Sequence, residues 1–178
     1  MPKKIEIKIS GLGGQGVVLA GEILGRAAVY EGKNVVQIGS YGAEARGSAA
    51  KSEVIISDSK IGFPKVRKCD ILVAMSQSAV ESHLKDLKEM GILIVDEDTV
   101  ENIPKTKARV FRIPATKTAE KSLKSRLYAN VVMLGALTKI TGIVKEAVVE
   151  KAITDSMPET ARTANIRGFR EGLKLVAI

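Results

Sequence analysis

The segment Gly11-Leu12-Gly13-Gly14-Gln15-Gly16 is the first whose residue types and spacing could do chemistry. It fits the G-x-G-x-x-G pattern, which carries meaning only between a strand and a helix. Its glycines let the backbone approach a ligand closely. Bare amides at the start of a following helix carry about half a positive charge, which favours phosphate. Gln15 stands out, because a purely structural turn has no need of an amide side chain. A second candidate follows, Ser40-Tyr41-Gly42-Ala43-Glu44-Ala45-Arg46-Gly47. Opposite charges among glycines can close on each other as a Glu44–Arg46 pair, or present both charges across an interface. A third pair, Arg126 and Asn130, stands one helical turn apart and so is expected to share a face. An Asn inside an apolar helix is costly unless hydrogen-bonded, so a cap or an intersubunit bond is expected of Asn130 before catalysis.

Several chemistries are poorly supplied. Iron–sulfur clusters take about four thiolates and structural zinc several Cys or His. The chain has one Cys, Cys69, and one His, His83, so no metal site is expected. Cys69, ahead of an apolar run, reads as a small core residue, and Met75, Met90 and Met133 as core filler. His83 reads as an exposed helical side chain. A dinucleotide fold would place Asp or Glu at the end of the second strand to hold the ribose hydroxyls. Here that strand ends Val36-Gln37-Ile38-Gly39-Ser40, with no acid before Glu44. Three readings of the glycine turn stay open: a phosphate contact, a contact with a neighbouring subunit, and tight strand–helix packing with no ligand.

Hydrophobic patterning supplies the elements that would position these residues. Alternating Ile5, Ile7 and Ile9 predict a strand over 5–10, and residues 17–30 have helical periodicity that Gly32 closes. Strands are predicted over 34–38 and 52–57, with a loop over 39–48. The unbroken apolar runs 70–75 and 92–95 read as strands buried on both faces of a parallel sheet. A helix over 78–90, stopped by Gly91, is expected between them, and a last strand over 109–113. Beyond Pro114 only helices are predicted, over 115–124, 127–141, 145–155 and 159–176. Strand–helix alternation with buried strands argues an α/β fold: a doubly wound, mostly parallel sheet with flanking helices and a helical C-terminal third. No repeat or linker interrupts the pattern, so residues 1–178 read as one domain.

Composition bounds the rest. A chain of 178 residues with 45% hydrophobic content can build a core, and with 3% aromatic residues that core must be aliphatic. The formal charge is +8, and residues 105–126 hold eight basic residues against Glu120 alone. Such a segment suits nucleic acid, an acidic protein face or a phosphorylated ligand, or is simply a solvated surface. Few aromatics are available to stack bases, so nucleic acid is not expected. The single thiol, the absence of an apolar N-terminal run and the lack of any apolar stretch of about 18 residues point to a cytoplasmic chain with no membrane partner.

Taken together, Gly13-Gly14-Gln15-Gly16-Val17-Val18 and the spaced Tyr41, Gly42, Glu44, Arg46 and Gly47 resemble the gamma subunits of 2-oxoacid:ferredoxin oxidoreductases. They also resemble the equivalent domain of pyruvate:ferredoxin oxidoreductase. The likeness extends through Ile61-Gly62-Phe63-Pro64, the segment Asp70-Ile71-Leu72-Val73-Ala74-Met75-Ser76 and Asn130-Val131-Val132-Met133-Leu134-Gly135. Leu12 before the double glycine, and Ala45 within Glu44-Ala45-Arg46-Gly47, favour the 2-oxoglutarate-type branch over the pyruvate type. Ala43 and Ser48 depart from the usual gamma pattern.

The resemblance implies a complex that decarboxylates a 2-oxoacid on thiamine diphosphate with magnesium. Electrons would pass through iron–sulfur clusters to ferredoxin, and the acyl group to coenzyme A. Those cofactors would sit on alpha, beta and delta partners. This chain would bind none alone, would carry no catalytic residue, and would brace the catalytic subunits and help form the coenzyme A side of the site. The residues implied are Gly13, Gly14, Gln15 and Gly16 for cofactor contact, with Tyr41, Gly42, Glu44, Arg46, Gly47, Arg126 and Asn130 at an interface or ligand loop. Isolated, such a chain is expected to be inactive and able to form homodimers. The alternative is a stand-alone nucleotide-binding oxidoreductase of Rossmann-like fold.

Overall fold

A computed structural model describes residues 3–42 and 48–177. The elements run β1 (Lys4–Leu12), α1 (Val17–Tyr30), β2 (Asn34–Tyr41), β3 (Ala49–Ser57), β4 (Cys69–Ala74), α2 (Gln77–His83), β5 (Leu87–Asp96) and β6 (Arg109–Ile113). Then come α3 (Ala115–Leu123), α4 (Ala129–Thr141), α5 (Glu146–Ser156) and α6 (Glu159–Lys174), with 3-10 turns at Leu84–Asp86 and Arg126–Tyr128. The six strands form one sheet in the order β2-β3-β1-β4-β5-β6. β4, β5 and β6 add to β1 in parallel, whereas β3 runs antiparallel to both β1 and β2. The mostly parallel α/β sheet expected from the patterning is therefore present, with one reversed strand slipped between β1 and β2.

Alternation along β1 sorts the layers. Ile7 and Ile9 are buried under a core shared by α1, α3, α4, α5 and α6. The opposite face is covered by α2 and the loops carrying Val66 and Val100, over Ile55, Leu72, Leu93 and Val95. From Ala129 to Thr138 every residue of α4 is buried, as expected of a helix apolar all round. Glycines let α4 and α6 touch backbone to backbone: a Cβ on Gly172 would lie 1.9 Å from the Val132 carbonyl oxygen, and one on Gly135 2.1 Å from that of Phe169.

The thinly covered face holds an ion network. Lys8 is 3% exposed, and its Nζ lies 3.0 Å from Asp86 and 3.6 Å from Glu53. Burial alone would raise the Asp86 carboxyl, but hydrogen bonds from Lys8 and His83 hold it below its ordinary value. His83 is thus half-buried beside Asp86, not the exposed side chain expected, and burial lowers its imidazole pKa.

Gly91 corrects a second expectation. It does not stop a helix; α2 ends at His83, and Gly91 lies inside β5. The β4–β5 register shifts between Cys69 and Ile71, and a Cβ on Gly91 would meet the Asp70 carbonyl oxygen at 2.8 Å and Leu87 Cδ1 at 2.7 Å. The glycine marks an irregular strand that needs close backbone approach. Met90 beside it is 77% exposed and fills no core, unlike Met75 and Met133.

Candidate functional site

β1 ends in the glycine turn, and α1 starts from it. Gly14 (φ 91°) and Gly16 (φ 74°) hold left-handed conformations that a side chain would strain. Gly16 is the N-cap of α1, which has no side-chain cap and no acid in its first turn. Among the described residues, the Gly14 and Gly16 N–H groups donate to no protein acceptor.

The Gln15 side chain is committed to the backbone. Its Oε1 accepts from Leu12 N at 2.6 Å and its Nε2 donates to the Met75 carbonyl at 2.8 Å. The amide thus braces the end of β1 against the end of β4, which gives a structural turn a use for it after all. Thr99 Oγ1 donates to the same Met75 carbonyl at 2.9 Å. A buried carboxylate organises the next strand end: Asp96, fully buried, accepts from Thr116 Oγ1 at 2.5 Å and from Asp98 N at 3.1 Å. Burial raises the Asp96 pKa above its ordinary value, against the pull of the Thr116 hydroxyl. Asp98 accepts from Lys117 N at 2.9 Å. The N-terminus of α3 is therefore neutralised by two carboxyl groups, and that of α1 is not.

These pieces enclose a cavity of about 270 Å³ lined by Leu12, Gly13, Gly14, Gln15, Met75, Thr99, Thr116, Arg126, Leu127 and Ala129. It lies outside the carboxyl ends of β1, β4 and β5, where open α/β sheets place ligands. Arg126 reaches it from the 3-10 turn before α4, with its Nε 3.0 Å from Glu120 and its side chain 72% exposed. Ser125 caps that turn by accepting from Leu127 N.

Asn130 does something different. It is 4% exposed, donates from Nδ2 to the Gly16 carbonyl at 3.2 Å and accepts from Val131 N at 2.9 Å. α4 begins only at Ala129, so Arg126 and Asn130 do not share a helical face. Arg126 faces the cavity and Asn130 staples α4 to the glycine turn. Tyr41 is 69% exposed at the end of β2. The neighbouring backbone is paired: Gly42 N donates to Ala49 O, and Gly13 N to Ser48 O, both at 2.7 Å. Glu44, Arg46 and Gly47 lie outside the described residues.

Of the residues that shape this cavity, sequence reasoning singles out Gly13, Gly14, Gln15 and Arg126 but not Thr99, Thr116 or Asp96. The available signal was Asp96-Glu97-Asp98-Thr99, small and acidic residues directly after a buried strand.

The reversed β3 removes the ground for a Rossmann-like dinucleotide site. β1 and β2 are not neighbours, and β2 ends in Gly39-Ser40-Tyr41 with no acid there to hold a ribose.

Comparison with known proteins agrees. The family described as pyruvate ferredoxin/flavodoxin oxidoreductase matches residues 6–175. The 2-oxoglutarate synthase subunit KorC of Methanocaldococcus jannaschii is 50% identical over 173 residues, spanning 96% of this chain and 92% of that protein. KorC of Methanothermobacter thermautotrophicus is 48% identical over 178 residues, spanning 96% and 94%. Among solved structures, the gamma subunit of a keto/oxoacid ferredoxin oxidoreductase from Geobacter sulfurreducens PCA superposes with a TM-score of 0.85. It is 42% identical, with 96% of each chain covered. The chain belongs to the pyruvate ferredoxin/flavodoxin oxidoreductase family, as a gamma subunit of the 2-oxoacid:ferredoxin oxidoreductases.

Proposed function

We propose that this chain serves a 2-oxoglutarate-type complex that converts a 2-oxoacid to acyl-CoA and passes electrons to ferredoxin. Its own part is to brace the catalytic subunits and to receive a phosphate of coenzyme A in the crevice at the strand ends. Thiamine diphosphate, magnesium and iron–sulfur clusters would be carried by alpha, beta and delta partners. The residues of this chain do not fit an iron–sulfur cluster. Its one thiol, Cys69, is buried, and the described residues gather no trio of His, Cys, Asp or Glu able to hold a metal. Among the described residues no helix is long and apolar enough to cross a membrane, which agrees with a cytoplasmic complex.

The observation that carries the reading is the uncapped N-terminus of α1, led in by Gly14, whose N–H has no protein acceptor among the described residues and which lines the same cavity as Arg126. Amides give a phosphate close, directional donors, and a guanidinium adds a charge-assisted bond. Leu127, 69% exposed at the rim, offers an apolar contact to the rest of such a ligand or to a catalytic subunit.

Purification of the complex at its native level, with the co-eluting chains identified, tests the assembly; recovery of thiamine-binding and cluster-carrying chains is expected. Arg126→Ala in the assembled complex tests the crevice. Loss of one charge-assisted bond, about 1.5–3 kcal/mol, should raise the KM for coenzyme A about tenfold or more. The KM for the 2-oxoacid should stay unchanged. An unaltered coenzyme A KM would remove the crevice from the reading.

A further inference from the structure

The two edges of the sheet are built very differently. β6, five residues long, carries Arg109 and Arg112, charges of the kind that keep an edge from pairing with another chain. β2 is eight residues long, Asn-Val-Val-Gln-Ile-Gly-Ser-Tyr, with no charge and no proline, and its register with β3 is continuous from Asn34 to Tyr41.

The phase of the β2–β3 ladder shows which groups are free. Gly42 N donates to Ala49 O, so positions with even numbers in β2 bond to β3 and those with odd numbers face outward. Val35, Gln37, Gly39 and Tyr41 therefore hold their N–H and C=O groups toward the open edge. Among the described residues, none of these groups has a protein partner.

We infer that β2 pairs antiparallel with β2 of a second copy of this chain, about a two-fold axis through Ile38, joining two six-stranded sheets into one. Self-complementarity fixes the register. Only when Ile38 faces its own counterpart do all four outward residues meet outward residues, Val35 with Tyr41 and Gln37 with Gly39, giving about eight inter-strand bonds. Ile38 then forms the close, non-hydrogen-bonded pair across the axis, and it is the exposed apolar side chain in the middle of the strand, at 42%. Tyr41, 69% exposed, comes to lie over Val35 of the second copy, on the α1 side of the sheet. Gly25 of α1 packs on Val35 and Gln37. One turn further on, Val29 is 55% exposed and would flank the same seam. The edge without charges is thus also lined with uncovered apolar side chains.

The full-length 19.0 kDa chain tests this by light scattering and sedimentation at micromolar concentrations. The natural sequence should run as a dimer. Ile38→Lys sets two ammonium groups face to face at the axis and should weaken association at least a hundredfold while leaving the melting curve of the monomer intact. Gln37→Pro removes an outward N–H that β3 does not use and should act likewise. Val110→Lys on the guarded edge should change nothing. Ile38→Cys adds a direct readout, because cross-strand Cβ atoms at such a pair lie close enough for a disulfide and Cys69 is buried. Mild oxidation should link two chains through position 38. A monomeric natural chain at tens of micromolar would overturn the inference. So would a dimer indifferent to folded Ile38→Lys and Gln37→Pro variants, or failure of Ile38→Cys to cross-link. None of these readouts involves coenzyme A or turnover, so the inference stands or falls apart from the proposed function.

Discussion

Removing Gln15 and Thr99 singly and together tests whether the glycine turn is held by the Met75 carbonyl. In Gln15→Ala, Leu12 N loses its acceptor, while Met75 O keeps the Thr99 hydroxyl. One net hydrogen bond at a half-buried site is worth about 1 kcal/mol, which for a domain of this size lowers the melting temperature by about 2–4 °C. In Thr99→Val, Met75 O keeps the Gln15 amide, and a similar loss is expected. Only the double variant strips the carbonyl of both side-chain donors. An orphaned carbonyl in a largely buried setting costs about 1–3 kcal/mol. Because Met75 borders the crevice, truncating both covering side chains would open its carbonyl to water, and the lower part of that range applies. The loss in the double variant should therefore exceed the sum of the two single losses by about 1–2 kcal/mol, measured as a double-mutant cycle of urea unfolding. Additivity within about 0.3 kcal/mol would refute the shared-acceptor argument. An unchanged midpoint for Gln15→Ala would show that the amide does not brace the turn at all.

Other consequences are open to measurement. Gly172→Ala places a methyl 1.9 Å from the Val132 carbonyl and should cost about 2–4 kcal/mol of unfolding free energy, because backbone on both sides must move; a variant of natural stability would show that the helix contact is not so close. Asp96 has a raised pKa, so the folded chain holds its proton more tightly than the unfolded one, and stability declines as pH climbs from 3.8 toward the folded value. The advantage of the natural protein over Asp96→Asn should accordingly be greatest near about pH 4 and shrink above it, as read from urea midpoints; the opposite trend would reverse the assignment. Burial pushes the Cys69 thiol up to about 12, so an aromatic disulfide reagent should label no thiol in the native chain and one in denaturant.

Much of the fold was legible because local pattern and tertiary demand coincide. Residues 17–30 and 109–113 carry apolar repeats bounded by glycine or proline, and α1 and β6 occupy those limits. The failures share a cause in distant pairing. β2 runs on to Tyr41 and β3 begins at Ala49 because Tyr41 pairs with Ala50 across a hairpin; small and charged residues there read as loop when taken alone. Gly91 looked like a helix stop because its reason, the approach of the Asp70 carbonyl, comes from another strand. The candidate site divides the same way. Glycines that need positive φ announce themselves, whereas Gln15 takes its purpose from Met75, sixty residues away, and Thr99 and Thr116 matter only once separate strand ends are side by side. Asn130 was expected to need a partner; nothing local could reveal that the partner is the Gly16 carbonyl.

The ammonium buried in the middle of β1 has a further consequence. In a two-sided sheet, displacing a strand by one residue exchanges its faces. Such a slip would drive Lys8 into the aliphatic layer under five helices, away from Asp86 and Glu53, and would turn Ile7 and Ile9 toward the ions. An unpaired charge there costs several kcal/mol, so one lysine acts as an alignment peg, letting the central strand seat in a single position.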